Sequence, residues 1–255
     1  MRNYLSCSVA CSFLAACSSI PDTSTVGSMA PDYLHSDTFE KVQVEFDTIE
    51  GRELNEALEV GKEAMMAATM KGTPILEGWS TLPSEPSARW DTASLRELER
   101  KHRVTPVRGD HIGFYVMVVD GAYTHDTENN KRLAMAYSGT SIAVFADTIQ
   151  DTCDYALIFE SDPTVKAGLC EAMFGTALVH ELGHLLGLVD EGTSMVEDHL
   201  DPDHKGHCNN PECVMHWASE QGKSAELVRT FLMDGKEGLE WVDEACVADI
   251  IAARQ

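Results

Sequence analysis

Val179-His180-Glu181-Leu182-Gly183-His184-Leu185-Leu186-Gly187-Leu188 places two histidines and a glutamate at a spacing that local geometry makes meaningful. On an α-helix, residues four apart lie one above the other, so the imidazoles of His180 and His184 leave the same face and can grip one ion. Glu181 then stands beside the first imidazole, placed to act as a base on water near the ion and not as a ligand. Two fixed nitrogens, an open coordination position and a carboxylate are what metal-assisted hydrolysis requires. The competing reading is an amphipathic core helix with two incidental histidines. The residues on either side disfavour it.

Upstream, Ala172-Met173-Phe174-Gly175-Thr176-Ala177-Leu178-Val179 is apolar and free of proline, which extends the helix back towards Glu171 as a buried scaffold. Downstream, Gly187 falls where the helix must stop, because glycine adopts the left-handed conformation that turns the chain sharply. A helix ending just after His184 leaves the chain free to double back under the ion with a third ligand.

With Gly187 in place, this pattern resembles the metzincin clan of zinc endopeptidases. The run His207-Cys208-Asn209-Asn210-Pro211-Glu212-Cys213-Val214-Met215 is similar to the corresponding region of archaemetzincins and related bacterial proteins, so the resemblance covers residues 171–217. It implies that His207 is the third Zn²⁺ ligand and that Met215 forms a Met-turn beneath the metal. It also implies that His216 and Trp217 line the pocket for the substrate side chain beyond the scissile bond. The implied fold is a zincin-type α+β domain. A mixed twisted sheet and the active-site helix form its upper lobe, and a mostly irregular lower lobe closes with a C-terminal helix. Substrate is expected to lie extended along an edge strand within residues 133–146 by strand addition.

Two departures from the metzincin pattern stand out. The third ligand usually lies three residues after the glycine, which here is Asp190; His207 arrives only after an intervening segment, residues 191–206. Asp190 has the spacing and His207 has the neighbours, and the neighbours favour His207, with His199 and His204 behind both. Archaemetzincins also carry a later C-x-x-C that helps hold a second zinc. This chain has none after Met215, so a second cysteine-rich zinc site is not expected. The intervening segment, with Glu197, Asp198, His199, Asp201, Asp203 and His204, reads as a solvated acidic loop; a further calcium or zinc site is the sharper alternative.

The N-terminus addresses the compartment. Arg2 precedes a short, mostly apolar run, and Leu14-Ala15-Ala16-Cys17 looks like a bacterial lipobox. The run is too short to span a bilayer and reads as a cleaved signal. Residues 1–16 are expected to leave and Cys17 to carry lipid. Residues 17–38 then form a flexible tether, and residues 39–255 the catalytic domain. Ser18 is not the aspartate associated with inner-membrane retention, which favours an outer-membrane lipoprotein of the cell envelope.

Export makes disulfides available to the remaining cysteines. Cys208 and Cys213 flank a turn and are expected to pair. Cys153 and Cys170 bracket the approach to the active-site helix and are expected to pair as well, leaving Cys246 as a buried free thiol. The formal net charge of −23 argues against nucleic acid, whose phosphates demand basic patches. Periodicity predicts a strand at 42–46, helices at 53–70 and 92–102, a central strand at 112–119, short strands at 133–137 and 141–146, and a C-terminal helix at 239–253. Residues 79–86 read as a loop.

The function these features imply is a membrane-tethered zinc endopeptidase acting on protein or peptide, with Glu181 as general base. The alternatives are a non-catalytic surface lipoprotein with a structural zinc, and a zinc amidase acting on a cell-wall component.

Overall fold

The strand β4 (Ile112–Val119) is buried along its whole length, as an uninterrupted apolar run must be when both faces of a strand are covered. Around it the computed structural model, which describes residues 23, 25–35, 37–52, 55–105, 111–128, 130–158, 161–220 and 225–255, builds a mixed sheet. β1 (Lys41–Ile49) and β7 (Ser141–Phe145) flank β4 in parallel. β2 (Gly72–Leu82) closes one side, parallel to β1. β6 (Ala134–Ser138) closes the other, antiparallel to β7, giving the order β2-β1-β4-β7-β6. The helix α2 (Asn55–Thr69) makes the crossover that a parallel β1–β2 pair needs. A small second sheet joins β3 (Arg89–Trp90) to β5 (Ala122–Tyr123). The helix α3 (Thr92–His102) starts at a reciprocal Asp91–Ser94 capping box.

The active-site helix α5 runs from Pro163 to Leu185, further back than the apolar run alone predicts. The Asp162 side chain accepts from the amides of Thr164 and Val165, and Pro163 occupies the first turn, where its missing N–H costs nothing. From Met173 to Leu185 every residue is buried. Three ties fix the rod in place. Glu171 accepts the Ala57 amide at 2.9 Å, holding the start of α2. Gly61 of α2 lies so close to Leu178 that a Cβ there would collide with it. The Cys153–Cys170 disulfide, as expected, joins α5 to the preceding helix α4 (Ala146–Ala156) across 17 residues, worth about 3 kcal/mol in the chain-entropy model.

Several expectations are corrected. Residues 79–82 continue β2 and are not loop; β2 is an outer strand, where Pro74 deprives no inner ladder of a donor. The expected C-terminal helix is split. A 3-10 turn covers Gly238–Trp241, and α7 (Glu244–Ala253) restarts where the Asp243 side chain accepts from the Cys246 amide. The helix α6 (Ala225–Met233) precedes that turn. Within the stretch expected as tether, Ala30–Leu34 form a short helix α1 with Met29, Ala30, Tyr33 and Leu34 buried. Tyr33 there donates to the Gly113 carbonyl at 2.5 Å. The leader and Cys17 lie outside the described residues. Among the described residues, no helix is long and apolar enough to cross a membrane.

Candidate metal centre

The last turns of α5 aim His180 and His184 at one point, and the chain returns to add His207. Their ligand-capable nitrogens all lie within 4.8 Å of one another. The Nε2 atoms of His180 and His184 are 3.2 Å apart. The His207 ring stands 5.2 Å from that of His180 and 5.1 Å from that of His184, centroid to centroid. The return is built from positive φ angles at Gly187 (68°), Val189 (55°) and Asp190 (64°). Glycine takes such an angle freely, but a β-branched valine does so only under constraint from its surroundings.

Each imidazole is fixed through its other nitrogen. Nδ1 of His180 donates to the Val214 carbonyl at 2.6 Å, and Nδ1 of His207 to the Lys205 carbonyl at 3.0 Å. Nδ1 of His184 donates to the Glu191 carboxylate at 2.8 Å. Carbonyls and carboxylates only accept, so all three protons belong on Nδ1. Three Nε2 lone pairs therefore converge, which is favourable around a cation and repulsive otherwise. This donor set fits a borderline divalent ion such as zinc, with three protein nitrogens and a remaining open side.

Glu181 lies next to this point, and its Oε2 accepts the Ala136 amide at 2.6 Å. Ala136 belongs to β6, the sheet's edge strand, so the carboxylate next to His180 in the chain reaches the outer side of the sheet. Met215 lies buried beneath α5, its sulfur packed so close to Gly183 that a side chain there would have to displace it. The floor of the centre thus favours a small residue inside the H-E-x-x-H motif, a preference that spacing alone leaves open. Trp217 stacks on His204 with centroids 4.3 Å apart, and His204 donates to Asp201 at 2.9 Å, so the intervening segment covers the chain just after Met215. His216 is half-buried against Trp217. Burial lowers its pKa below the ordinary imidazole value.

Asp190, the other candidate ligand, is exposed and stands outside the triad. Glu191, one residue on, is the carboxylate that reaches His184.

The cysteines correct two expectations. Cys208 and Cys213 are not paired; with Cys246 they are free and buried. The sulfurs of Cys213 and Cys246 are 3.9 Å apart, and Nδ1 of His199 lies 3.4 Å from the Cys208 sulfur and 3.7 Å from that of Cys246. Nε2 of His199 donates to Asp249 at 2.8 Å, and Asp249 also accepts the Val196 amide at 2.7 Å. That leaves the His199 Nδ1 lone pair facing sulfur. Backbone amides of Asn210, Met215 and Asp243 point at the sulfurs of Cys208 and Cys213 at 3.4–3.5 Å. Hydrogen bonds from Cys213 and then Cys246 hold the Cys208 thiol far below its usual range, and the hydrogen bonds they share with Cys208 push the Cys213 and Cys246 thiols up. His199, Cys208, Asp243 and Cys246 also bring ligand atoms within 4.8 Å of one another. The Asp243 oxygens already serve the Cys246 amide and the Asn210 side chain, so Cys213 is the better fourth donor. A second cysteine-rich cluster therefore exists, built without a C-x-x-C. His199 is buried in it, so this part of the intervening segment is not a solvated loop.

No family model matches the chain, and no curated protein does. Among solved structures, the fold is similar to that of an archaemetzincin from Methanopyrus kandleri, at 15% identity over 84% of this chain and 96% of that one, with a TM-score of 0.51. A zinc-dependent peptidase from Methanocorpusculum labreanum also overlaps, at 15% identity over 82% of this chain and 100% of that one, with a TM-score of 0.47. The architecture is α+β and archaemetzincin-like.

Proposed function

We propose that this chain is a zinc endopeptidase, tethered to a bacterial envelope through lipid on Cys17. The observation that carries the catalytic reading is that Glu181, beside His180 in the cluster of three imidazoles, reaches the edge strand β6 through the Ala136 amide. Zinc held by His180, His184 and His207 would supply a Lewis acid, lowering the pKa of water towards neutrality and polarising a scissile carbonyl. Glu181 takes the proton of the attacking water and passes it to the leaving amine. An extended peptide pairs with the free edge of β6, which brings its backbone to the same carboxylate that now holds the Ala136 amide. Met215 supports the imidazoles from below, and His216 and Trp217 border the pocket beyond the scissile bond.

His199, Cys208, Cys213 and Cys246 would hold a second, structural zinc. A closed four-donor set buried from water has no position left for substrate. The acidic surface argues against nucleic acid as a partner. Cys17, with no aspartate after it, suits lipid anchoring at the outer membrane; fatty-acid labelling that is lost in Cys17→Ser checks this, and equal label in both proteins would sink it.

Glu181→Ala should keep both metals and the fold while lowering casein digestion by about 10²–10⁴-fold, the usual contribution of a general base. Wild-type rates in that variant would overturn the catalytic reading in favour of a non-catalytic zinc lipoprotein. If the wild-type protein leaves unstructured protein intact yet cleaves cell-wall amides, the amidase alternative replaces the endopeptidase.

A further inference from the structure

We infer that Glu191 is a positioning residue, one that orients His184 as a ligand and couples the two arms of the metal centre. The inference rests on reading His180, His184 and His207 as the metal triad. His180 and His207 each donate Nδ1–H to a backbone carbonyl, whereas Nδ1–H of His184 donates to a charged side chain, at 2.8 Å. Backbone carbonyls come with the fold, whereas this carboxylate must be delivered.

The delivery is specific. Val189 and Asp190, both at positive φ, reverse the chain so that Glu191 returns beneath the end of α5. The reversal is locked from beyond Glu191. The Thr193 amide donates to the Gly187 carbonyl at 2.8 Å, and its hydroxyl to the Leu186 carbonyl at 2.6 Å. These bonds satisfy orphan carbonyls at the helix end, and they close a ring of residues with Glu191 inside. Gly27 packs directly on the Glu191 backbone, so the N-terminal segment braces the ring from outside.

On its far side the carboxylate lies against Gly206. A Cβ at Gly206 would stand 2.6 Å from both Cδ and Oε1 of Glu191, and the φ of 77° there favours glycine. Gly206 immediately precedes His207. Glu191 thus touches the helix that supplies two imidazoles and the loop that supplies the third. A carboxylate on the remote nitrogen of a ligand imidazole fixes the tautomer and makes Nε2 a better donor.

The test is zinc affinity of the full-length chain by chelator competition, with the zinc equivalent lost in His180→Ala defining the site. Glu191→Ala should weaken that equivalent by about 10–100-fold, the usual effect of removing such a partner. The melting temperature of the metal-free protein should be unchanged. Glu191→Gln, which keeps an acceptor oxygen but loses the charge, should fall between the two. Wild-type affinity in Glu191→Ala would overturn the inference. So would a drop in metal-free stability that accounts for the affinity loss, with no partial rescue by glutamine. If the wild-type chain holds no equivalent that His180→Ala removes, it is the metal triad itself that fails.

Discussion

His207 and Cys208 are neighbours in the chain, yet they belong to two centres built on opposite principles. The triad collects three imidazoles, one of them only half-buried, and opens towards Glu181 and the strand edge. The thiol cluster collects three sulfurs and an imidazole, all buried, with backbone amides directed at the sulfurs. An open set of neutral nitrogens leaves a coordination position for chemistry. A closed set of thiolates spends every position on cross-linking distant segments of chain. The difference shows how a single turn can carry both functions: the peptide between His207 and Cys208 joins the reactive face to the structural one.

The largest effect that tests this contrast comes from Cys246. Structural zinc sites carry apparent binding free energies of about 10–16 kcal/mol that are also folding free energy. Cys246→Ser should therefore lose one zinc equivalent and lower the melting temperature severely, or leave an unfolded chain. His180→Ala should lose the other equivalent with melting close to wild type. Zinc stoichiometry and calorimetry on the two variants decide the matter, and equal destabilisation by both would erase the distinction between open and closed centres.

A smaller effect sharpens the triad's side of the comparison. Gly183→Ala drives a methyl into Met215, and such overpacking costs about 1–3 kcal/mol. Gly168 lies in the same helix with open space around it, so Gly168→Ala should instead stabilise by about 0.5–1 kcal/mol. Denaturant midpoints of the pair measure both. If the two substitutions behave alike, Met215 is not packed against the metal helix.

Much of the first centre was legible in the chain. The spacing of His180 and His184 carries its own geometry, because helical periodicity is local, and Gly187 marks the stop. The apolar runs at 42–46 and 112–119 became β1 and β4, and Cys153–Cys170 paired as their positions suggested. The helix α4 carries little apolar periodicity, because its buried positions include Thr148 and Thr152 beside Ile149 and Cys153, among Asp147, Gln150, Asp151 and Asp154. Glu191 was passed over because ligand spacing drew attention to Asp190; the consecutive left-handed residues that turn Glu191 inward leave no signature in sequence.

What the sequence determined by itself is the shared face of His180 and His184 on α5, since an i, i+4 pair on a helix needs nothing beyond the helix. It determined the central place of β4 nearly as well, since a continuous apolar run announces a strand covered on both faces, whereas the edge strand β2 carries no such run. The fate of Cys208 and Cys213 was decided only in three dimensions. Two cysteines across a short turn are equally compatible with a disulfide and with half of a metal site. The choice depends on whether further donors arrive, and these come from far along the chain: Cys246 lies 33 residues beyond Cys213, and Asp249, which orients His199, lies 50 residues beyond it. No local period spans such distances. The packing of α7 against the returning loop brings those groups together, and that packing is a property of the whole folded core.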